Sequence, residues 1–241
     1  RPKMECAWQS FISNSRQGDS IMPNWCDNQI TITGPNSVID KIEKIVKEES
    51  NNAEDGLLQF FHPMPKELLD TEAGPIAKTK EEKNERKARK LSFGAENWYD
   101  WRVNNWSTKW EVNEFYGLDR QPLNDSLDES TISFGFCSAW APPINAYEKF
   151  LENNSNCFIR AYYYEGGCDF MGLWEDGIDD CYAPGDYKST DDFWQDGIGS
   201  TLDEMFNITE SMAEYEAEQE AEKEDVHEYV KGQAMNIGEE A

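Results

Sequence analysis

Alternation of apolar and polar residues predicts where this chain forms strands. Residues 28–34 alternate and end at a Gly-Pro pair, which is typical of a strand that stops there. The alternation is clearest over residues 130–137. Three more strands are expected at residues 111–116, 157–164 and 169–174. A Glu-Gly-Gly turn joins the last two strands, and this turn predicts a hairpin.

Apolar residues spaced three or four apart predict two helices that lie against this sheet. The first helix begins after Pro35, and its apolar face consists of Val38, Ile39, Ile42, Ile45 and Val46. The second opens at residues 141–143, and its apolar stripe consists of Ile144, Tyr147, Phe150 and Leu151. The order strand, helix, strand, strand, helix, strand is that of the split βαβ, or ferredoxin-like, arrangement. We therefore expect an α+β fold with helices on one face of an antiparallel sheet.

An insertion of about residues 50–108 separates the first helix from the second strand. Its first part, residues 57–65, is apolar but contains two prolines, which cannot donate to a central strand. We expect this part to be an extended segment that crosses the core. A charged helix is predicted over residues 79–90. The only basic cluster of the sequence begins just before this helix and consists of Lys78, Lys80, Lys83, Arg86, Lys87, Arg89 and Lys90.

Three interpretations of this basic cluster stay open. It is a solvated helix face or flexible insertion, a patch that binds nucleic acid, or a surface that docks against the acidic C-terminal part of the chain. Glu81, Glu82 and Glu85 are interleaved with the basic residues, which weakens the nucleic-acid interpretation.

Residues 98–110 hold four of the nine tryptophans of the chain. We expect Trp98, Trp101 and Trp106 to lie on a short helix at the end of the sheet, and Trp110 to enter the second strand. Burial of such a side chain stabilises a fold by about 1.5–3 kcal/mol, so packing explains the tryptophans without catalysis. The polar residues that have no evident packing role form an alternative binding site. They are Asn24, Asn28, Asn105, Thr108 and Lys109.

The formal net charge of −26 restricts what this fold can bind. Aromatic content of 13% supplies an ordered core, whereas a mean hydropathy of −0.80 indicates a solvated, acidic remainder. The excess of 48 acidic over 22 basic residues argues against unaided binding to DNA, RNA or an anionic membrane, because phosphate contacts need Lys and Arg. The charge favours a partner with a basic surface.

Acidic residues are concentrated in residues 175–241, which contain 21 Asp and Glu against 3 Lys, a net charge of −18. Residues 201–204 and 211–214 each fit a capping box, and a helix is expected over about 211–231. Carboxylates on a rigid helix imitate the phosphate charges of a nucleic acid and can occupy a cationic groove. The alternative is a solubilising tail. The candidate binding residues are Glu175, Asp176, Asp179, Asp180, Asp191, Asp192, Trp194, Asp196, Glu214, Glu218 and Glu222.

Motifs for catalysis or metal binding are absent from the sequence. The only histidines are His62 and His227, and His62 lies beside Pro63 in an apolar segment, where we expect it to pack. No CxxC pair occurs, the acidic clusters lack EF-hand spacing, and no glycine-rich phosphate loop is present. We therefore expect no metal, no cofactor and no catalytic residue, and a binding role is favoured over an enzymatic one.

The ends of the chain differ from its centre. No apolar run approaches the ~20 residues of a membrane helix, and residues 1–21 lack the apolar core of a signal peptide. The expected location is the cytoplasm. We interpret residues 1–21 as an N-terminal extension before Met22, residues 22–174 as a ferredoxin-like domain, and residues 175–241 as an acidic helical extension.

Five short segments occur in order between residues 22 and 174. They are Met22-Pro-Asn-Trp25-Cys-Asp-Asn28, Phe61-His-Pro-Met-Pro65-Lys-Glu67-Leu68, Asn105-Trp106-Ser-Thr108-Lys109-Trp110, Phe136-Cys-Ser-Ala-Trp140-Ala-Pro-Pro143 and Tyr164-Glu-Gly-Gly-Cys-Asp-Phe170-Met-Gly172. Together they resemble the YubB-like family of ferredoxin-like-domain proteins. The resemblance implies a ferredoxin-like fold and a bacteriophage or plasmid source, so the expected cytoplasm is that of the host. It implies no known reaction. Ser107 stands where glycine is usual in that pattern, and the basic insertion and acidic C-terminus are additions to it.

Three functions follow as hypotheses. The first is a non-enzymatic binding protein whose acidic surface engages a cationic, nucleic-acid-binding surface of a host protein, as a nucleic-acid mimic or an inhibitor of host defence. The second is a nucleic-acid-binding module that uses the sheet and the basic insertion. The third is an enzyme with a pocket around Asn24, Asn28, Lys109 and the tryptophans. The oligomeric state is not predicted.

Overall fold

The computed structural model of this protein describes residues 24–48, 55–74, 79–123, 128–214, 216–217 and 221. The chain divides into two compact units, Arg1–Ala183 and Pro184–Ala241. We call them the first and the second unit and describe each by itself. In the part of the chain described, no helix is long and apolar enough to cross a membrane.

The first unit contains six strands and six helices within the described ranges. The strands are β1 (Trp25–Pro35), β2 (Tyr116–Pro122), β3 (Glu129–Ala139), β4 (Phe158–Glu165), β5 (Phe170–Glu175) and β6 (Ile178–Tyr182). The helices are α1 (Asn36–Glu48), α2 (Leu57–Phe61), α3 (Lys66–Leu69), α4 (Lys80–Phe93), α5 (Trp98–Trp106) and α6 (Ile144–Asn153).

All six strands form one antiparallel sheet in the order β2-β3-β1-β4-β5-β6. The longest pairing is that of β1 with β3, which runs from Trp25 opposite Ala139 to Pro35 opposite Glu129. The expectation of a mixed α+β fold built on an antiparallel sheet is therefore confirmed.

Alternation along the strands separates an apolar face of the sheet from a polar one. Ile30 and Ile32 of β1 are buried in one core with Phe134 of β3 and with residues of α1, α2, α5 and α6. Hydroxyl groups line the opposite face, where Thr31 Oγ1 lies 2.9 Å from Ser133 Oγ. Helices α1, α2, α5 and α6 therefore cover the apolar face.

The segment expected to be extended, residues 57–65, instead begins with helix α2. A residue distant in sequence stabilises this helical turn. The Glu111 carboxylate accepts hydrogen bonds from the backbone N–H groups of Leu58 (2.7 Å) and Gln59 (2.9 Å). These are N–H groups that a helix start leaves without an intrahelical partner. The prolines that argued against a strand follow this helix, and Pro65 precedes α3.

The second strand begins five residues later than predicted. Residues 111–115 form no strand, and β2 starts at Tyr116. Apolar side chains of this segment pack as a loop, with Val112 buried and the Phe115 ring centroid 5.6 Å from that of Phe134. Trp110 therefore precedes the strand rather than entering it. The short tryptophan helix itself is present as α5, and Asn97 is its N-cap.

The sheet also continues past residue 174, where the acidic extension was expected to begin. β5 and β6 form a hairpin around a two-residue turn, Asp176-Gly177, in which both residues have positive φ (50° and 89°). An Asp-Gly pair is a strong hairpin signal, which the acidic composition around it obscured. The structural division falls after Ala183, so Glu175, Asp179 and Asp180 belong to the sheet.

The second unit is helical in its described part. After a 3₁₀ turn (Pro184–Asp186) come α7 (Thr190–Gln195) and α8 (Gly197–Phe206), and residues 208–214 are helical as well. Asp196 caps α8, so residues 201–204 lie inside a helix rather than forming its capping box. Residues 211–214 likewise lie within a helical stretch. Most of the predicted helix over 211–231 lies outside the described residues.

Candidate functional site

The acidic candidates from the β5–β6 hairpin are largely engaged in the first unit. Glu175 accepts a hydrogen bond from Arg160 Nε at 2.7 Å. Asp179 accepts one from the Tyr163 hydroxyl at 2.7 Å. Asp176 occupies the exposed turn, and Asp180 is half-buried in β6. These four residues therefore belong to the first unit, whereas the other acidic candidates belong to the second.

Helix α7 of the second unit buries one aromatic side chain and exposes the next. Phe193 is fully buried and its ring centroid lies 5.0 Å from that of Tyr187. Trp194, the following residue, is 49% exposed. Asp191 and Asp192 are exposed in the first turn of the same helix. Asp191 precedes Trp194 by three residues, a spacing at which helical side chains are neighbours.

Acidic side chains in the first turn also suit the helix itself. The positive end of the helix dipole lies at the N-terminus, where carboxylates are stabilising. Ser189 caps α7 by accepting a hydrogen bond from the Asp192 N–H at 3.2 Å. Asp191, Asp192 and Trp194 are therefore displayed by an ordered helix, and we call these three residues the Trp194 surface.

Other carboxylates of the second unit differ in role. Asp196 accepts hydrogen bonds from Ile198 N–H (3.3 Å) and from the Tyr187 hydroxyl (3.1 Å), so its role is structural. Glu214 is exposed on the helical stretch 208–214. Glu218 and Glu222 lie outside the described residues. Asp203, which the sequence did not single out, is buried and accepts hydrogen bonds from Thr209.

Nearly all charged side chains among the described residues of the second unit are negative. Lys188 is the only basic residue there. The exposed carboxylates are Asp186, Asp191, Asp192, Glu204, Glu210, Glu214 and Glu216. This surface is therefore suited to a cationic partner.

Three residues of the alternative polar site have structural roles. Asn28 is fully buried, and its Nδ2 donates to Ser138 Oγ at 2.9 Å. Thr108 is also fully buried, and its hydroxyl donates to the Ala139 carbonyl at 2.8 Å. Asn105 donates back along its own helix to the Trp101 carbonyl. These three residues are therefore not displayed for a ligand.

The other two, Asn24 and Lys109, lie around the same tryptophan. The Asn24 carbonyl accepts a hydrogen bond from Trp140 N–H at 2.9 Å. Lys109 Nζ lies 5.2 Å from the Trp140 ring centroid. The same ammonium lies 4.6 Å from the Trp110 centroid and 5.9 Å from that of Tyr99. It thus contacts three aromatic rings by cation–π interaction.

Trp25 extends this group to the surface. Its ring centroid lies 5.9 Å from that of Trp110, at an interplanar angle of 44°, and its side chain is 50% exposed. We call Trp25, Tyr99, Lys109, Trp110 and Trp140 the aromatic–lysine cluster. The candidate residues taken from the sequence include Asn24 and Lys109 but not Trp25, Tyr99 and Trp140, whose positions around Lys109 and Trp110 follow from the fold.

Left-handed backbone conformations occur within and beside this cluster. Ser107, the C-cap of α5, has a φ of 67°, and Trp140 has a φ of 71°. A non-glycine residue in this region costs about 1–3 kcal/mol and persists where neighbouring contacts fix it. The hydrogen bonds of Thr108 and of Trp140 supply such contacts here.

The basic helix α4 displays lysines on one side. Lys80, Lys83, Lys87 and Lys90 are exposed at three- and four-residue spacing, and no residue of this helix is buried. The arginines have other roles, since Arg86 donates to Gly74 O and Arg89 to Glu96 O. Lys78 lies outside the described residues.

His62 has the packing role expected of it. Its Nδ1 lies 3.1 Å from the Asn105 carbonyl, and its ring stands edge-on to Trp101 at 4.9 Å. Burial lowers the pKa of this imidazole. No group of three or more His, Cys, Asp or Glu side chains in the described ranges is arranged to hold a metal ion.

Together these features define an α+β protein with a six-stranded antiparallel sheet, an aromatic–lysine cluster and a helical unit with an acidic surface. No family model and no curated protein matches the chain. The crystal structure of protein api92 from Yersinia pseudotuberculosis, described with the family DUF1281, is similar to this chain. The similarity covers 67% of this chain and 98% of the api92 chain. The identity is 11% and the TM-score 0.34, too low for any property of that protein to be carried over.

Proposed function

We propose that this protein is a non-enzymatic binding protein whose second unit engages a cationic surface of another protein. The observation that carries the proposal is the Trp194 surface. A half-exposed tryptophan follows a fully buried phenylalanine on an ordered helix, and two exposed aspartates precede it. An unstructured solubilising tail would not hold a tryptophan at a fixed position on a helix.

The chemistry of this surface suits protein recognition. Tryptophan is among the residues that contribute most to binding energy, because it buries a large area at low entropic cost. Carboxylates around it attract basic partners and raise the rate of encounter. A surface with this charge also resembles the phosphate backbone of a nucleic acid. The partner class that fits is therefore a nucleic-acid-binding surface rich in Lys and Arg.

The proposal includes the fold of the first unit and the source of the chain. The element order β1, α1, β2, β3, α6, β4 and the strand order β2-β3-β1-β4 support a ferredoxin-like core, which β5 and β6 extend. A phage or plasmid source, and with it the inhibition of a host defence protein, rests on the resemblance to the YubB-like family. The source and the inhibitory role go beyond the binding role itself, and the experiment on binding does not test them.

The test compares capture of basic proteins from a bacterial lysate by the wild-type chain and by variants of the Trp194 surface. Replacing a hot-spot tryptophan costs at least about 2 kcal/mol, so Trp194→Ala should weaken binding about 30-fold. Asp191→Asn with Asp192→Asn should lower both the affinity and its dependence on salt. Binding by the wild type should fall steeply between about 50 and 300 mM salt.

A matched control carries the same charge change elsewhere. Glu67 and Glu81 are exposed on α3 and α4 of the first unit, and Glu67→Gln with Glu81→Gln should bind as the wild type does. Circular dichroism verifies that each variant is folded. Equal capture by Trp194→Ala and the wild type, or capture that salt does not weaken, would contradict the proposal.

A second candidate is a nucleic-acid-binding module, and the four exposed lysines of α4 favour it. It is tested in the same experiment. Recovery of RNA or DNA that disappears in a variant with Lys83→Gln and Lys87→Gln, and persists in Trp194→Ala, would replace the first proposal with this one.

A further inference from the structure

The ammonium of Lys109 retains hydrogen-bonding capacity. A lysine side chain has three N–H donors, and aromatic faces attract its charge without accepting a conventional hydrogen bond. In the described part of the chain, the Lys109 ammonium forms no ion pair or hydrogen bond, although the protein carries 48 acidic residues. Its side chain is half-buried, and three aromatic rings surround its ammonium.

An aromatic cage normally binds a cation such as a quaternary ammonium group. Here the positive charge inside the cage belongs to the protein itself, because Lys109 lies against Tyr99, Trp110 and Trp140. A second cation would be repelled. The ligand that completes this arrangement is an anion placed against the ammonium.

Trp25 offers a flat apolar surface beside Trp110. Half of its side chain is exposed, and its ring is tilted against Trp110 rather than enclosed. Stacking of a planar base on such a ring is worth about 1–3 kcal/mol. A ligand with a planar ring and a nearby anionic group therefore satisfies Trp25 and Lys109 together.

The arrangement is also fixed in advance of binding. Trp140 is held in a left-handed conformation by the hydrogen bond from its N–H to the Asn24 carbonyl. The buried Thr108 hydroxyl ties the residue before Lys109 to the Ala139 carbonyl of β3. Strained backbone of this kind often occurs in ligand-binding sites, and rigid sites lose less entropy when a ligand binds.

We propose that the aromatic–lysine cluster binds a nucleoside monophosphate, with the base stacked on Trp25 and the phosphate bound by Lys109. A single phosphate suits this chain better than a nucleic-acid strand does. With a net charge of −26, the protein repels a long polyanion, whereas one phosphate needs only one favourable contact. All residues of the proposed site belong to the first unit.

The test is a titration of the ¹⁵N-labelled full chain with each of the four ribonucleoside 5′-monophosphates, followed by the indole N–H signals of the tryptophans. At least one monophosphate should shift the Trp25 and Trp110 signals, and the shifts should saturate at nucleotide concentrations below about 10 mM. Lys109→Gln and Trp25→Ala should each weaken binding about tenfold, which corresponds to about 1.4 kcal/mol. Lys109→Arg, which keeps the charge, should retain most of the affinity.

Leu91→Ala is the control, since Leu91 is an 89% exposed apolar residue of α4 outside the cluster, and its loss should leave the affinity unchanged. The absence of saturable shifts with all four monophosphates would overturn the proposal. Unchanged affinity in a folded Lys109→Gln variant would do the same. So would equal binding of inorganic phosphate, or tighter binding of choline or of an octanucleotide. Since the readout is confined to Trp25 and Trp110, failure here leaves the Trp194 surface untouched.

Discussion

His62 shows how the surroundings of one residue make stability depend on pH. Its ring lies between Trp101 and the Asn105 carbonyl, and burial lowers the pKa of the imidazole. The neutral ring is therefore favoured in the folded state. In the unfolded chain the pKa returns to about 6.5, so the unfolded state takes up a proton first as the pH falls.

We predict that His62 lowers the free energy of unfolding as the pH falls through about 6.5 towards its folded pKa. Urea unfolding at about pH 7.5 and 5.5 measures this loss, and His62→Gln should lose less stability over the same interval. NMR titration of the imidazole provides the direct control. A His62 that titrates at or above the unfolded value would contradict the prediction.

Tyr116 shows a different effect of close packing. Its ring lies over Gly135 of β3, where a Cβ atom would collide with it. The absence of a side chain at Gly135 is thus what allows the ring to cover the strand, as aromatic residues often do beside glycine in sheets. Burial, with Asp27 and Cys137 adding to it, raises the pKa of the Tyr116 hydroxyl to about 12.

At the scale of elements, helix α2 depends on a residue far from it in sequence. The Glu111 carboxylate accepts hydrogen bonds from Leu58 N–H, Gln59 N–H and Val112 N–H. Burial raises the pKa of this carboxyl group, whereas the three N–H donors and Arg102 lower it. A five-residue helix has little stability of its own, so Glu111 fixes where it begins.

We predict that Glu111→Ala lowers the free energy of unfolding by about 2–3 kcal/mol, because it leaves buried N–H groups without acceptors. Glu111→Gln keeps one acceptor oxygen and should lose less. Chemical denaturation monitored by tryptophan fluorescence measures both changes. Glu114→Ala, at an exposed residue nearby, serves as a control for lost charge. Equal stability of Glu111→Ala and Glu114→Ala would show that the cap contributes nothing.

At the scale of the whole molecule, charge repulsion opposes folding. The net charge is −26, and the ion pairs of the described residues are largely exposed, such as Lys44 with Glu48. Exposed pairs contribute about 0–1 kcal/mol each. Because the chain carries 48 acidic residues against 22 basic ones, repulsion between carboxylates outweighs the attraction of these pairs.

We predict that sodium chloride stabilises this protein, by on the order of 1 kcal/mol between about 20 and 300 mM, because salt screens the repulsion more than the attraction. Urea unfolding at both salt concentrations measures the shift. Potassium chloride should act alike, since screening depends on ionic strength rather than on the ion. An unchanged or lower urea midpoint at high salt would contradict the prediction.

Periodicity in the sequence predicted the elements whose stability is local or depends on one buried face. Alternation located β1 and β3, the Glu-Gly-Gly turn indicated the β4–β5 hairpin, and three- and four-residue spacing located α1 and α6. The position of a residue in such a repeat determines which face of the strand or helix its side chain occupies. The concentration of acid towards the C-terminus is equally a property of the sequence alone.

Only the tertiary structure decided the features that depend on contacts between distant residues. Glu111 turned an expected extended segment into α2, and pairing with β5 made residues 178–182 a strand despite their acidity. The aromatic–lysine cluster joins residues from Trp25 to Trp140. The sequence shows each of these residues, but their positions in space depend on strand pairing and core packing, which no local pattern encodes.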